Sequence, residues 1–359
     1  MKILVTRTDR LGDLVLSLPA MALLKKEQPA WEVHAMVAPL SVPLVENEPG
    51  LSRIWSWHEA MSAQEHDQLA NELREANFDA VVMLFYRPGL ARLLRSVGID
   101  QRFGPLSKWS SWFLLNRGVR QNRSAGHRHE AHYNIELVQK VLDRHEQAIS
   151  SPASPQMHLS ASQKMVARKF RTEHAGDGPI VLIHPGSGGS ALDWEPGHYA
   201  AVANDLATEP GAQVFITGAG SDAAVIGQMS NQLSPAVKIL LDKYDLREFM
   251  SVLAAGDLFL GPSTGPLHMA SALGVPTLGL FPPAPTMHPD RWGPLRPDNL
   301  PPRNLVPDLV CPARRACRKN KCEFYNCLET ITVASVLQAA RELITIGRNE
   351  RYSPLEDGS

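Results

Sequence analysis

The chain has 359 residues, 44% of them apolar and 20% charged, the profile of a soluble globular protein of two domains rather than a disordered or fibrous chain. Lys plus Arg number 36 against 37 Asp plus Glu, so no global positive field exists to hold nucleic acid or an anionic membrane, and any such contact must be local. The longest apolar stretch, 14–24, is broken by Ser17 and Pro19 and is too short to cross a bilayer. As a secretory signal it would carry Asp9 and Asp13 where the charge should be positive.

In chain order, the β-branched run at 2–5 predicts a strand, TRTDRLGD a turn, and the apolar period over 14–26 a helix. Strands at 31–37 and 78–85 and helices at 65–76 and 88–98 continue the alternation, which implies a parallel sheet covered on both faces. Residues 101–130, with Trp109, Trp112, Phe113, Arg117, Arg120 and Arg123, break the rhythm and predict a polar loop region of the kind that receives ligands. A helix is expected over 131–145. The Ser- and Pro-rich stretch at 149–156 reads as a linker.

The second half starts afresh. Helices are expected at 161–174, 197–207, 221–233, 245–254 and 265–273, with strands at 179–184, 212–217, 237–241, 258–261 and 276–281. The fold class is α/β, two Rossmann-like doubly wound domains over 1–155 and 156–330, followed by a terminal helix at 331–347 and a flexible tail at 348–359.

Three turns of the second half, each after a strand, are rich in Gly and small polar residues: 186–189, 218–221 and 261–265. Ligands of open parallel sheets bind at the carboxyl ends of strands, where bare N–H groups and positive helix ends attract phosphate oxygens. A diphosphate-bearing ligand is therefore expected at Gly186, Ser187, Gly188 and Gly218, and at Ser263, Thr264 and Gly265 with His268 following. Ser263 and Thr264 are suited to cap the helix that Gly265-Pro266 opens. In the first half Asp13 follows Gly12 beyond the first strand, where a carboxylate either caps the helix or acts as general base on an acceptor hydroxyl; for Asp9 capping is the expected role. No D-x-D pair occurs, so a metal clamping the diphosphate lacks obvious ligands. The candidate fixed cations are Arg7, Arg10, His268 and Arg291.

Two further readings stay open. Gly218 to Ala223 matches G-x-G-x-x-A, with Asp242 about twenty residues on, the dinucleotide fingerprint of a dehydrogenase. Cys311, Cys317, Cys322 and Cys327 lie in one short segment, leaving no disulfide framework elsewhere; they could bind a structural zinc, form disulfides on oxidation, or stay free, and a reducing compartment suits them.

With these motifs on the page, the chain resembles the bacterial heptosyltransferases of glycosyltransferase family 9, which have the GT-B fold. The resemblance is carried, in order, by KILVTRTDRLGDLVLSLPA, FDAVVMLFYRPGLARLLRSVGIDQRFG, VLIHPGSGGSALDW and GPSTGPLHMASALGVPTLGLFPP followed by RWGP. It implies a cytoplasmic enzyme, at most peripheral at the inner membrane, that moves a heptose with inversion from ADP-heptose to a lipid-linked lipopolysaccharide core acceptor, without a cofactor and without contact to nucleic acid. On this resemblance Asp13 is the general base and Gly12 shapes the turn. The diphosphate is held by Ser263, Thr264, Gly265 and His268, with the 186–188 turn facing the same phosphates, and Asp222 lies near the ribose. Loops at 86–123 receive the acceptor, the two domains face a cleft, and the helix near 332–346 crosses back onto the first domain. Two positions depart from the pattern: Ser263 stands where many members have Asp, and Leu192-Asp193 precede Trp194 where many have Lys or Arg. The non-transferase alternatives are a dehydrogenase and a non-catalytic nucleotide-sugar-binding module.

Overall fold

The computed structural model describes residues 1–143, 154–174, 178–189, 191–296, 302–313 and 317–349. The end of the expected helix at 131–145, most of the 149–156 linker and the tail beyond 349 lie outside these residues. The chain divides into two compact units, the first holding Met1–Arg123 and Glu130–His158, the second Ser124–His129 and everything from Leu159 onward.

In the first unit β1 (Lys2–Arg7), β2 (Glu32–Val37), β3 (Leu51–Ser56), β4 (Ala80–Met83), β5 (Gln101–Pro105) and β6 (Arg117–Val119) form one parallel sheet in the order β3-β2-β1-β4-β5-β6. Its helices are α1 (Leu11–Val15), α2 (Leu18–Glu27), α3 (Ala63–Ala76), α4 (Pro88–Ser96), α5 (Ser111–Leu114) and α6 (Glu130–Val141). The central β4 is buried along its whole length, whereas the edge strands β3 and β6 are only partly buried, as expected where both faces of a parallel sheet are covered. α3 begins in a capping box, Ser62 accepting from Glu65 N while Glu65 accepts from Ser62 N.

The helix expected at 14–26 is two helices. Pro19 lacks an N–H, so it opens α2 near its first turn instead of continuing α1. Ser17 Oγ donates to the carbonyl of Asp13 at 2.7 Å and closes the end of α1. The region 101–130, expected as loop, supplies β5, β6 and α5. Those strands carry Arg and Gly in place of an apolar alternation, and their register, Phe103 opposite Arg117, comes from pairing alone.

The second unit repeats the topology. Its elements are α7 (Ala161–His174), β7 (Ile180–Ile183), α8 (Pro196–Leu206), β8 (Gln213–Gly218), α9 (Ala223–Ser230), β9 (Lys238–Leu241), α10 (Leu246–Ala254), β10 (Leu258–Pro262), α11 (Gly265–Ala272), β11 (Thr277–Leu280), α12 (Pro289–Trp292), β12 (Arg303–Leu305) and α13 (Val333–Asn349). The parallel order is β12-β11-β10-β7-β8-β9. α13 packs onto the second unit's own sheet. Val336, Leu337, Ala340, Leu343 and Ile344 are buried in the same core as Trp194, Tyr199 and Leu260, because their helical spacing makes one apolar stripe that α8 and β10 cover.

Candidate functional site

Each sheet reverses its strand order at one place, between β1 and β4 in the first unit and between β7 and β10 in the second. Connections leave such a point in opposite directions and open a crevice beyond the strand carboxyl ends, where ligands of doubly wound sheets bind.

In the first unit Arg7, the last residue of β1, is 1% exposed. Its Nε donates to Asp9 Oδ1 at 2.7 Å, its Nη2 to Asp13 Oδ1 at 2.5 Å, and its Nη1 to Asn134 Oδ1 at 3.1 Å and Glu130 Oε1 at 3.2 Å. The guanidinium lies 5.7 Å from the ring of Phe85, from the loop after β4, which Arg87 also overlies at 4.9 Å. Burial alone would lower the Arg7 pKa, but the charges of Asp9, Asp13 and Glu130 outweigh it and raise it. Arg7 is thus a fixed clamp on carboxylates. Asp9 is drawn into this cluster and does not cap α1, whose N-cap position is the exposed Arg10.

Asp13 sits in the first turn of α1 with its side chain 15% exposed. Burial pushes its carboxyl up to about 6 against the pull of Arg7, with Asp9 and Glu130 adding to the rise. A carboxylate with its pKa close to the working pH is the form in which an acid side chain accepts a proton most effectively. Gly12 is buried in the same turn.

In the second unit the turn after β7 carries Gly186, Ser187, Gly188 and Gly189. The two last have φ of +53° and +75°, a backbone that side chains other than glycine rarely adopt. A Cβ on Gly186 would stand 2.0 Å from Asp222 Oδ1. Asp222 is itself buried, accepts from Ala219 N at 2.9 Å and lies 3.6 Å from His184 Nε2. Its carboxylate therefore braces the turns at 186 and 218 against each other.

After β10, Ser263 is half-buried and Thr264 buried at the start of α11, yet Thr264 makes no capping bond to the helix and its Oγ1 turns back to Pro262 O. The expected side-chain cap is absent, and the first-turn N–H groups that an α-helix leaves without internal partners keep their bonding capacity. One turn on, His268 is 4% exposed and its Nδ1 has no partner. Burial, with His129 nearby, pushes its pKa down to about 3, so the imidazole is neutral. Arg291, in α12, stacks over Trp292 at 4.7 Å. The dehydrogenase-like turn follows β8, one strand away from the reversal, with Gly220 packed toward Asp242.

The family model for glycosyltransferase family 9 (heptosyltransferase) matches residues 67–304, more than half of the chain. A Haemophilus influenzae protein bearing a provisional glycosyltransferase name is 30% identical over 298 residues, covering 82% of this chain and 86% of its own. The chain belongs to glycosyltransferase family 9. Lipopolysaccharide heptosyltransferase 2 of Escherichia coli K12 is 24% identical over 312 residues, 84% of this chain and 85% of that one. Among solved structures, a family 9 glycosyl transferase from Veillonella parvula superposes with a TM-score of 0.80 at 18% identity, over 96% of this chain and 97% of that one. E. coli ADP-heptose lps heptosyltransferase II gives 0.77 at 22% identity, over 98% and 100%. The two Rossmann-like units are those of the GT-B fold. A glycosyltransferase, not a dehydrogenase, is what this family membership makes the chain.

Against the family pattern, Leu192 is 5% exposed and belongs to the core of the second unit, while Asp193 is exposed and its carbonyl accepts from Asn326 Nδ2 at 2.7 Å. The four cysteines carry free thiols and line one small cavity with Leu192 and Pro282. Burial, then the neighbouring thiols of Cys317, Cys311 and Cys322, pushes the Cys327 thiol up. Among the described residues no three His, Cys, Asp or Glu side chains are gathered as a metal-holding group. Glu130 and Asn134, which hold Arg7 from α6, were not foreseen; they lie over a hundred residues from Arg7, and only the fold brings them to it.

Proposed function

We propose that the chain transfers a heptose from ADP-heptose to a lipid-linked saccharide of the lipopolysaccharide core, by one inverting displacement without a metal ion or other cofactor. The observation that carries this reading is the chemistry at the two strand-order reversals. One holds a largely buried carboxylate with its pKa near 6, the other an uncapped helix start beside a neutral imidazole whose Nδ1 has no partner. The names of the E. coli relatives support the sugar and the acceptor. Asp13 takes the proton of the attacking acceptor hydroxyl, whose oxygen bonds to the anomeric carbon. The bond from that carbon to the diphosphate breaks, its electron pair leaves with ADP, and the proton passes on to solvent. The first-turn N–H groups of α11, His268 and the 186–189 turn stabilise the charge arriving on the diphosphate without having to reorganise. Gly218 and Gly265 let the backbone approach it, and Ser263 and Thr264 flank it. Such an enzyme works in the cytoplasm, at most peripherally on the inner membrane.

A second donor within the same family is favoured by one feature, the replacement of the usual cation by a buried Leu192. A thermal-shift panel of ADP-sugars, UDP-sugars and NAD separates these, since a ligand bound only by the folded state raises its melting point. Product analysis with ADP-heptose and truncated lipopolysaccharide acceptors then reads the transfer itself. Stabilisation by UDP-sugars alone would refute the ADP-heptose donor, and stabilisation by NAD alone the transferase assignment of these turns.

A further inference from the structure

The first unit displays three large aromatic side chains on one short segment. Trp109 is 80% exposed, Phe113 59% and Trp112 49%, although the same segment has room for a core, since Ser111 and Leu115 within it are buried. Its shape is fixed from below. Ser111 Oγ donates to Lys108 O at 2.5 Å, and Arg102 Nε to Leu114 O at 2.8 Å. Arg95 Nη1 donates to Phe113 O at 3.1 Å. Tyr86 OH, in the loop after β4, bonds Ser110 Oγ at 2.8 Å. The rings are thus held outward by a built scaffold rather than left there by a loose loop.

Charge accompanies them. Residues 87–123 contain eight Lys or Arg and one acid, Asp100, in a chain whose net charge is −1. Arg95, Lys108, Arg117 and Arg120 are exposed, and the Arg120 guanidinium lies 4.8 Å from the ring of Trp112. Aromatic rings beside snorkelling cations are the composition of a protein surface that settles at the head-group level of a bilayer. Each Lys or Arg near an anionic leaflet adds to the attraction.

We propose that the Trp109–Phe113 segment is a docking surface for an anionic lipid bilayer. It rests on this surface alone and not on which sugar is transferred. Among the described residues no helix is long and apolar enough to cross a membrane, so any attachment through them is to one leaflet. A second copy of the chain fits the patch poorly, because it would bring like charges together. A nucleic-acid strand would stack bases on open ring faces, but here Trp109 and Phe113 engage each other at 4.8 Å and Trp112 is covered by Arg120.

The test is co-sedimentation of the full chain with phosphatidylglycerol-containing vesicles, against vesicles of phosphatidylcholine alone. The chain is expected to pellet with the first at low salt, to be released by high salt, and to shift its tryptophan emission to the blue on binding. The triple substitution Trp109→Ser, Trp112→Ser, Phe113→Ser is expected to reduce the bound fraction about tenfold, and Lys108→Glu with Arg120→Glu to abolish binding to the anionic vesicles. An unchanged melting temperature shows that each variant is folded, as expected for exposed positions. The proposal is overturned if the wild type stays in the supernatant, or if the triple variant pellets equally. It is also overturned if the chain is a dimer that the triple variant dissolves, or if a single-stranded RNA oligonucleotide is retained in place of the vesicles. A protein that transfers heptose yet ignores these vesicles would refute the surface alone; one that binds them without transfer would refute the reaction alone.

Discussion

Replacing Asp13 by Asn isolates the proton transfer from everything else the first unit does. The Asn side chain keeps the size of Asp and still offers an oxygen to Arg7 Nη2, so the cluster of Arg7, Asp9, Glu130 and Asn134 survives. Loss of a general base costs about 100- to 10,000-fold in turnover. The raised carboxyl adds a sharper signature. With a pKa of about 6, roughly nine-tenths of Asp13 is ionised at about pH 7 and roughly one-tenth at about pH 5. Wild-type kcat/KM for ADP release should therefore fall about tenfold over that interval, where an ordinary aspartate at 3.8 would leave it nearly flat. The Asn variant's residual rate should lack this limb, which separates Asp13 from any titration of the acceptor. Arg7→Lys leaves one ammonium among three carboxylates and should move the limb to higher pH. A wild-type profile flat from pH 7 to 5, or wild-type turnover in the Asn variant, would refute the reasoning. The stability sign follows from the same number. A carboxyl raised above its unfolded value binds its proton more tightly when folded, so its contribution grows as pH falls from about 6 toward 3.8 and is least favourable above 6. Asp13→Asn should then melt no lower than wild type at neutral pH.

His268→Gln removes an imidazole whose Nδ1 has no internal partner; calorimetry should show ADP bound about tenfold more weakly, the effect of one hydrogen bond to a charged group, and unchanged affinity would exclude His268 from the diphosphate site. Because the imidazole of the free protein stays neutral down to about 3, wild-type ADP affinity between about pH 6 and 8 should show no His268 protonation step. Gly186→Ala puts a methyl 2.0 Å from the buried carboxylate of Asp222, so the variant should lose about 2 kcal/mol of stability and melt several degrees lower; an unaltered melting curve would show that the 186 and 218 turns are not braced through Asp222. Leu192→Arg restores the family's cation on paper, but the position is in the core; differential scanning fluorimetry should show a destabilised protein and ADP titration no tighter binding, whereas a stable variant with higher ADP affinity would refute the packing argument.

Much of this protein was legible in the sequence, and for local reasons. The alternation of apolar strands with amphipathic helices, the Gly-rich turns after strands, and Pro19 and Pro266 near helix starts all act within a few residues, so they announced two α/β halves and the turns at 186, 218 and 261. Asp13 was singled out because its spacing from β1 places it beyond the strand's carboxyl end. Strands β3, β5, β6 and β12 escaped notice because their residues show no clean apolar run or alternation, and their pairing partners rather than their own residues make them strands.

Tertiary structure decided the rest. The groups that hold Arg7 include Glu130 and Asn134, which arrive from α6 across more than a hundred residues. Whether Asp222 faces solvent or braces two turns depended on how closely Gly186 could approach it, and the burial of α13's apolar stripe on the core of the second unit. Residue order specifies which groups are present and the local backbone they prefer. The pKa of Asp13 and the free nitrogen of His268 come from burial and from neighbours distant in sequence, because desolvation and charge act through space and not along the chain.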